Sequence, residues 1–223
     1  MTLKKMKNWE VFEHEVRMLV EAFGYHAETT QPSHDYGVDV IAENQRRRVI
    51  IQCKLYGSGR IGGDTIMQLI GSREFFNATD AICITTSYFT KQAREIADKR
   101  NVHLVDREIL LGLCREKNLT IPSMTTLQID QGRAMQINGT HFTIGRADDN
   151  DLVLPAPQVS RHHAALSREG LQLLAHDCGS ANGTVVNGCS IVKPTRLNYG
   201  SKIDIGVYCM EIVFKTLEKV NAS

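Results

Sequence analysis

The sequence predicts a two-domain protein in which an N-terminal α/β domain precedes an all-β domain. At 223 residues the chain can hold two small domains. Its first half alternates helical apolar periodicity with short β-branched runs, whereas its second half has short alternating strands separated by Gly, Asn, Asp and Pro. Because the pattern changes at a short polar segment, we expect a linker at 118–124 between domains at 1–117 and 125–223.

The elements of the first half follow one another without long gaps. A helix from about Trp9 to Phe23 carries an apolar stripe and ends at Gly24. Two β-branched strands at 37–42 and 49–54 follow it, and the polar turn between them indicates a hairpin. The remaining elements are a helix capped by Asp64, a strand at 81–85, a helix capped by Thr90, a strand at 102–105 and a helix at 109–114. This order predicts a mixed sheet flanked by helices.

The paired strands bring together residue types that suit a cation site. Alternate side chains of a strand share a face, so Gln52 and Lys54 point the same way, and Asp39 can converge on them from the partner strand. A hard cation prefers oxygen ligands, which Asp39, the Gln52 amide and the Cys53 backbone carbonyl could supply. Lys54 would then orient a water or stabilise charge that develops on a phosphate.

The arrangement D-x12-Q-x-K resembles the PD-(D/E)xK nuclease superfamily, and its surroundings resemble the Mrr branch over about Trp9 to Leu113. The resemblance implies a restriction-endonuclease-like fold and a DNA endonuclease that hydrolyses phosphodiester bonds with Mg²⁺, or with Mn²⁺ as a substitute. The implied catalytic residues are Glu13, Asp39, Gln52 and Lys54, and the implied metal ligands are Asp39, Gln52, the Cys53 carbonyl and, as a further candidate, Glu13. Because Gln52 replaces the Glu of many relatives, we expect weaker metal binding than at an all-carboxylate site.

Family association also suggests a role in restriction or defence and DNA as a partner. One site per chain cuts one strand, so coordinated double-strand cleavage calls for a homodimer. The alternative is a catalytically inactive DNA-binding or scaffold protein that keeps the fold and uses its second domain for docking.

Strands in the second half are predicted at 141–144, 163–167, 171–175, 201–205 and 209–214, as in a β-sandwich. Three loop motifs stand in order between them, Gly145-Arg146, Ser160-Arg161-His162-His163, and 180–184 running into Asn187-Gly188. Loops at one end of a sandwich cluster on a rigid scaffold. An Arg fork, a Ser hydroxyl and an Asn amide presented together suit a phosphate and the backbone beside it.

The order and spacing of these motifs resemble the forkhead-associated (FHA) domain over about Thr125 to Phe214. The resemblance implies a phosphothreonine-containing protein as partner. Its phosphate would be held by Arg146 and Ser160 with help from Arg161, and its peptide backbone by Asn182. Two alternatives remain, an FHA fold that serves only for docking, and a zinc site whose ligand spacing fits no standard pattern, at His162, His163, His176 and Cys178.

Bulk properties restrict the partners and the compartment. The net charge is +1, and 1–117 holds 17 Lys and Arg against 16 Asp and Glu, so any basic groove for DNA must be local. Six cysteines without a CxxC pair, most of them among apolar neighbours, indicate buried free thiols. No apolar run approaches the roughly 20 residues of a membrane span. We therefore expect a cytoplasmic protein with no membrane partner. The candidate basic contacts are Lys4, Lys5, Lys7, Arg46, Arg47, Arg48 and Arg60.

Overall fold

The computed structural model describes residues 8–30, 36–56, 59–129, 132–137 and 139–214. The chain passes from a first compact unit to a second between Leu113 and Cys114. Its α-helices are α1 (Asn8–Ala22), α2 (Gly63–Phe75), α3 (Lys91–Arg100) and α4 (Arg107–Lys117). The strands of the first unit are β1 (His26–Thr29), β2 (Val40–Glu43), β3 (Arg48–Lys54), β4 (Arg60–Ile61), β5 (Asp80–Thr85), β6 (Tyr88–Phe89) and β7 (Val102–Val105).

The first unit is a mixed five-stranded sheet with helices, as the sequence predicts. Its strand order is β1-β2-β3-β5-β7, antiparallel from β1 to β3 and parallel from β3 to β7. The central strand β3 is buried from Val49 to Cys53, which explains its nearly continuous apolar run. Helix α1 buries Phe12, Val16 and Leu19 on one stripe. Because β3 is central, the residues at its carboxyl end are held rigidly.

The predicted β2–β3 hairpin is present, with Val40 opposite Ile51, but β2 begins at Val40 and not at the expected residue 37. Its turn is closed by Asn44, whose side-chain oxygen accepts the N–H groups of Arg46 at 3.0 Å and Arg47 at 2.9 Å. Asn side chains favour such turns because they mimic a backbone acceptor. This register brings the residue before β2, Asp39, beside the carboxyl end of β3.

Helix starts differ from the sequence expectation at two places. The N-cap of α2 is Gly62, so Asp64 lies in the first turn, where a negative charge still suits the helix dipole. Helix α4 begins before the expected 109, because Asp106 accepts the Ile109 N–H at 3.2 Å. Thr90 caps α3 as predicted, and its hydroxyl accepts the Ala93 N–H at 3.1 Å.

The second unit is the predicted β-sandwich. A 3₁₀-helix (Pro122–Met124) precedes its strands, which are β8 (Thr125–Ile129), β9 (Arg133–Gln136), β10 (His141–Gly145), β11 (Leu152–Val153), β12 (Ala164–Glu169), β13 (Gln172–Asp177), β14 (Val185–Val186), β15 (Cys189–Ser190), β16 (Thr195–Leu197), β17 (Lys202–Ile205) and β18 (Tyr208–Phe214). One sheet has the order β11-β10-β12-β13-β16 and the other β15-β14-β17-β18-β8-β9.

The segment 118–124, expected to be a linker, is bonded to the sandwich. Thr120 donates its N–H to the Leu171 carbonyl at 2.8 Å, and the Ile121 N–H donates to the Tyr199 hydroxyl at 2.8 Å. Ile121 is fully buried. A separately expressed second unit would therefore need to include this segment.

All six cysteines lie among the described residues and carry free thiols. Cys53, Cys83 and Cys114 are buried as expected, but Cys178, Cys189 and Cys209 are exposed, so the expectation that most are buried is wrong. Within the described ranges, no helix is long and apolar enough to cross a bilayer.

Candidate functional site

Asp39 is anchored at the carboxyl end of β3. Its side-chain Oδ2 accepts the Cys53 N–H at 2.6 Å, and its own N–H donates to the Ile51 carbonyl at 2.8 Å. The Asp39 carbonyl accepts the Thr30 N–H at 3.0 Å, which ties the residue to the end of β1. Backbone and side-chain bonds together fix the direction of this carboxylate.

Gln52 is a buried side chain whose amide lacks a partner. It is 1% exposed, and neither Oε1 nor Nε2 has a hydrogen-bond partner. A Cβ added at Gly37, whose φ is +76, would lie 2.9 Å from Gln52 Nε2 and 2.6 Å from Gln68 Nε2. Leaving a buried polar group unpaired costs about 1–3 kcal/mol. This amide is therefore the polar group that a ligand at β3 would satisfy.

Charged groups converge on the same end of β3, as the pKa of the Cys53 thiol shows. Burial raises this pKa well above its usual value, and the negative charges of Asp39 and Glu13 raise it further, whereas Lys54 lowers it. The pKa of the neighbouring Cys83 rises to about 12 through burial, and Lys54 and Asp39 act on it in opposite directions. The structure thus places the charges of Glu13, Asp39 and Lys54 near the Cys53 thiol, at the end of β3 that also carries Gln52. We call these four residues, with the Cys53 carbonyl, the sheet-end site.

The sheet-end site fits a weakly held hard cation. Within the described part of the chain, no three His, Cys, Asp or Glu side chains form a group that could hold a metal. The predicted ligands include only two carboxylates, and the rest are the Gln52 amide oxygen and the Cys53 carbonyl. The unpartnered Gln52 Oε1 beside the anchored Asp39 carboxylate is the donor set that an oxygen-seeking cation prefers.

The basic residues predicted to contact DNA differ in how exposed and how paired their side chains are. Arg46 and Arg47 are exposed on the β2–β3 turn, whereas Arg48 pairs with Glu43. Arg60 lies over the Tyr88 ring at 5.9 Å from the centroid. Lys4, Lys5 and Lys7 lie outside the described residues.

The first and third loop motifs of the second unit both bond to segment 158–161, which carries Ser160 and Arg161 of the second motif. Arg146 donates its Nε–H to the Val159 carbonyl at 3.2 Å and its N–H to the Ser160 carbonyl at 2.9 Å. From the third motif, Asn182 Nδ2 donates to the Gln158 carbonyl at 2.8 Å. These bonds bring Arg146, Ser160 and Asn182 to one end of the sandwich. Together with Arg161 we call them the loop site.

His163 fixes the loop that carries Ser160. The Ser160 N–H donates to His163 Nδ1 at 3.0 Å, so the ring proton sits on Nε2, which donates to the Gly183 carbonyl at 3.0 Å. The Ser160 hydroxyl accepts the Ala181 N–H at 3.0 Å. Since that bond occupies the oxygen as an acceptor, the hydroxyl hydrogen can be donated to an anion.

Arg161 is held through its backbone. Its carbonyl accepts the Ala147 N–H at 3.1 Å and Asn150 Nδ2 at 2.9 Å, while its side chain is exposed. A Cβ at position 145 would collide with this carbonyl, so Gly145 is required for the close approach of the two loops.

Asp177 organises the third loop and was missed by sequence reasoning. Its carboxylate accepts the N–H groups of Gly179 and Ser180, both at 3.0 Å, and the hydroxyls of Ser180 at 2.6 Å and Thr184 at 2.7 Å. Burial alone would raise the pKa of Asp177, but these hydrogen bonds bring it below its ordinary value. The available signal was an Asp two residues before Gly-Ser, which is typical of an Asx turn.

The three histidines among the candidate zinc ligands contact other residues, and the one cysteine is exposed. His163 bonds within the loops as described, and His176 Nε2 lies 2.6 Å from the Ser167 hydroxyl. His162 lies 3.8 Å from Asp149, and Cys178 is exposed. The geometry therefore assigns these side chains to loop packing and to the surface.

Two family models match this chain, one to each half. A restriction endonuclease model, Mrr_cat, matches residues 3–114, and an FHA domain model matches residues 142–206. The FHA domain-containing protein FhaB of Mycobacterium tuberculosis is 30% identical over 106 residues, which cover 48% of this chain and 68% of FhaB. The transcriptional regulatory protein EmbR of the same organism is 38% identical over 77 residues, 34% of this chain and 20% of EmbR.

Solved structures include an FHA domain from a study of phosphothreonine-dependent FHA domain interactions. It is 32% identical in sequence to this chain. The matched region spans 41% of this chain and 97% of the solved domain, with a TM-score of 0.39.

Proposed function

Because the chain belongs to the Mrr-type restriction endonuclease family and also carries an FHA domain, we propose that it is a Mg²⁺-dependent DNA endonuclease recruited or regulated through phosphothreonine binding. The observation that carries the proposal is the Gln52 amide, buried and unpartnered beside the anchored Asp39 carboxylate. A structural core position would favour an apolar side chain there. A ligand site explains why an amide occupies it.

Each residue of the sheet-end site has a role that its position supports. Asp39, Gln52 and the Cys53 carbonyl would hold the divalent cation, which supplies charge neutralisation at the scissile phosphate. The Cys53 N–H keeps the Asp39 carboxylate oriented toward its ligand. Lys54 stabilises charge that develops on the phosphate or orients the attacking water. Glu13 adds negative charge from α1.

Cleavage of supercoiled plasmid by the purified protein tests this proposal. We expect nicked and then linear DNA with Mg²⁺, activity with Mn²⁺ in its place, and none with excess chelator. The balance of linear over nicked product, with sedimentation on DNA, reports whether two chains act together as a homodimer. Failure to cut under any of these conditions would favour the inactive DNA-binding or scaffold protein. The small number of carboxylates at the site supports that second candidate.

The loop site supports the second half of the proposal. Its Ser160 hydroxyl hydrogen is available to an anion, and the Arg146 guanidinium is oriented by the Val159 carbonyl while its side chain is exposed. A phosphate with two or more acceptor oxygens matches this set of donors. Arg161 adds positive charge from the same loop, and Asn182 would contact the peptide backbone. In this proposal a phosphorylated threonine on a partner protein brings the nuclease to its place of action.

A further inference from the structure

A second glutamine side chain lies beside the Gln52 amide. A Cβ at position 37 would lie 2.6 Å from Gln68 Nε2, 2.7 Å from Gln68 Cδ and 2.9 Å from Gln52 Nε2. The two amides therefore face the same gap, which stays open because residue 37 is a glycine with a φ of +76°. Gln52 lies on β3 and is 1% exposed, whereas Gln68 lies on α2 and is exposed to solvent. Helix α2 thus brings a further polar side chain to the edge of the sheet-end site.

The position of Gln68 is fixed by the packing of α2. The helix buries Ile66 and Leu69 in the same apolar core as Ile50 of β3. Alternate side chains of a strand share a face, so Gln52 points to the same side of the sheet as Ile50. Helix α2 therefore covers the face of β3 that carries Gln52.

A hydrogen bond holds the backbone of the gap against α2. Ser72, one turn after Gln68 on the helix, is buried and donates its hydroxyl to the Tyr36 carbonyl at 2.6 Å. The same hydroxyl oxygen lies 3.1 Å from the Gln68 carbonyl oxygen. Val38, on the other side of Gly37, is fully buried in the core that α2 covers. The gap, and with it the approach of the two amides, is therefore fixed from both sides.

The Gln52 amide has a donor end and an acceptor end, and neither has a partner in the structure. The Gln52 atom nearest the gap is Nε2. In the proposed site Oε1 binds the cation, so the two N–H donors of Nε2 need acceptors among the protein atoms around them. Buried donors of this kind nearly always have a partner.

Gln68 can supply the missing acceptor. A half-turn about its Cγ–Cδ bond exchanges Nε2 for Oε1, because an amide carries a donor and an acceptor on the same carbon. Since the side chain is exposed to solvent, this rotation does not disturb the core. An oxygen of Gln68 then faces the gap at which Gln52 Nε2 already lies.

We infer that Gln68 is a positioning residue of the sheet-end site: its Oε1 accepts a Gln52 Nε2–H when Gln52 Oε1 binds a divalent cation. The inference rests on the proposed nuclease function. A carboxylate offers an oxygen in either orientation, but an amide offers one only when it is turned the right way. A partner that accepts from the nitrogen end selects that orientation, as hydrogen bonds to metal-binding side chains do.

Binding of Mn²⁺ to the full chain, without DNA, tests the inference. Free Mn²⁺ is followed by electron paramagnetic resonance for wild type and for Gln68→Met, which keeps the side-chain length and removes the acceptor. We expect Gln68→Met to bind Mn²⁺ about two- to tenfold more weakly, as the loss of one hydrogen bond implies. Gln92→Met, at an exposed position on α3, is the matched control and should bind as wild type does.

Nuclear magnetic resonance of the Gln52 side chain separates positioning from a general structural effect. Its NH₂ signal is identified by its loss in Gln52→Met, and the exchange of these protons with water is then measured. Saturating Mg²⁺ should slow the exchange in wild type but not in Gln68→Met. Because Gln68 is exposed, the melting temperature of Gln68→Met should match that of wild type.

The outcomes distinguish this inference from the proposed function. If wild type and Gln68→Met bind Mn²⁺ equally, the inference fails and the cation site stands. Equal exchange of the Gln52 protons in both proteins under Mg²⁺ would also overturn it, since Gln68 would then not act through Gln52. If Gln68→Met weakens binding of duplex DNA in chelator but not of Mn²⁺, Gln68 is a DNA contact and the inference is wrong. A wild type that binds no Mn²⁺ would overturn the proposed nuclease function together with it.

Discussion

At the scale of single residues, the buried amide of Gln52 lowers the stability of the fold and is a proposed ligand of the cation. This amide is buried without a partner, and a Cβ at position 37 would lie 2.9 Å from its Nε2 and 2.6 Å from Gln68 Nε2. Sequence spacing could predict that Asp39, Gln52 and Lys54 belong together, because strand alternation is regular. It could not predict the unpaired amide, which depends on what packs around β3.

We expect Gln52→Met to stabilise the protein and to remove cleavage. Methionine has a similar length and removes an unpaired amide, so the free energy of unfolding should rise by up to about 1–3 kcal/mol. Urea denaturation in chelator measures this change. Gln92→Met, at an exposed position on α3, is the matched control and should stay within about 0.5 kcal/mol of wild type. A less stable Gln52→Met protein would mean that the amide makes a stabilising contact.

At the scale of elements, the loop from Asp177 to Thr184 is built around one carboxylate. Four hydrogen bonds to Asp177 close the loop and present Ala181 to the Ser160 hydroxyl. The Asn182 amide extends from the same loop to the Gln158 carbonyl. The loop that carries Asn182 and contacts the Ser160 hydroxyl is thus held by Asp177, which is not among the predicted phosphate ligands.

The lowered pKa of Asp177 predicts how this loop responds to acid. A carboxyl with a depressed pKa in the folded state contributes stability above its unfolded pKa and loses it as the pH falls through the folded value. The melting temperature of wild type should therefore exceed that of Asp177→Ala at pH 7, and the difference should shrink below about pH 4. Calorimetry of both proteins between about pH 7 and pH 2.5 measures it. A difference independent of pH would show that the carboxylate charge does not hold the loop.

The longer elements could be predicted from the sequence, and the short ones could not. Helix α1, the β2–β3 hairpin and β5 have strong periodicity or continuous apolar runs, and each lies within one or two residues of its expected bounds or shows the expected pairing. Strand β1 has four residues at the edge of its sheet, too few for alternation to stand out. The two-residue strands β14 and β15 pair with each other, and β14 also pairs with the more distant β17, but two residues are too few to show alternation in the sequence.

At the scale of the whole molecule, the chain combines two units with separate sheets. The sheet-end site is built from α1, β3 and the residue before β2, and the loop site from three loops of the sandwich. No residue of one predicted site is drawn from the other unit. This separation implies that damage to one site leaves the basic activity of the other intact.

We expect Arg146→Ala to weaken phosphothreonine-peptide binding and to spare cleavage of naked DNA. A hydrogen bond to a charged group contributes about 1.5–3 kcal/mol, so affinity should fall roughly ten- to a hundredfold. Titration with phosphorylated and unphosphorylated forms of a threonine peptide measures this, and the exposed Arg196 on β16 provides the control variant Arg196→Ala. A wild type that shows no preference for phosphorylated peptides would leave the second unit as a docking fold only.

The most direct test of the nuclease assignment is the initial rate of plasmid nicking in Mg²⁺ for variants of the sheet-end site. Asp39→Ala, Gln52→Ala and Lys54→Ala should each abolish nicking while circular dichroism shows a folded protein. Glu13→Ala should reduce the rate less, because Glu13 contributes from α1 and lies outside the anchored strand end. Full Mg²⁺-dependent activity in the Asp39→Ala protein would contradict the assignment of the metal site.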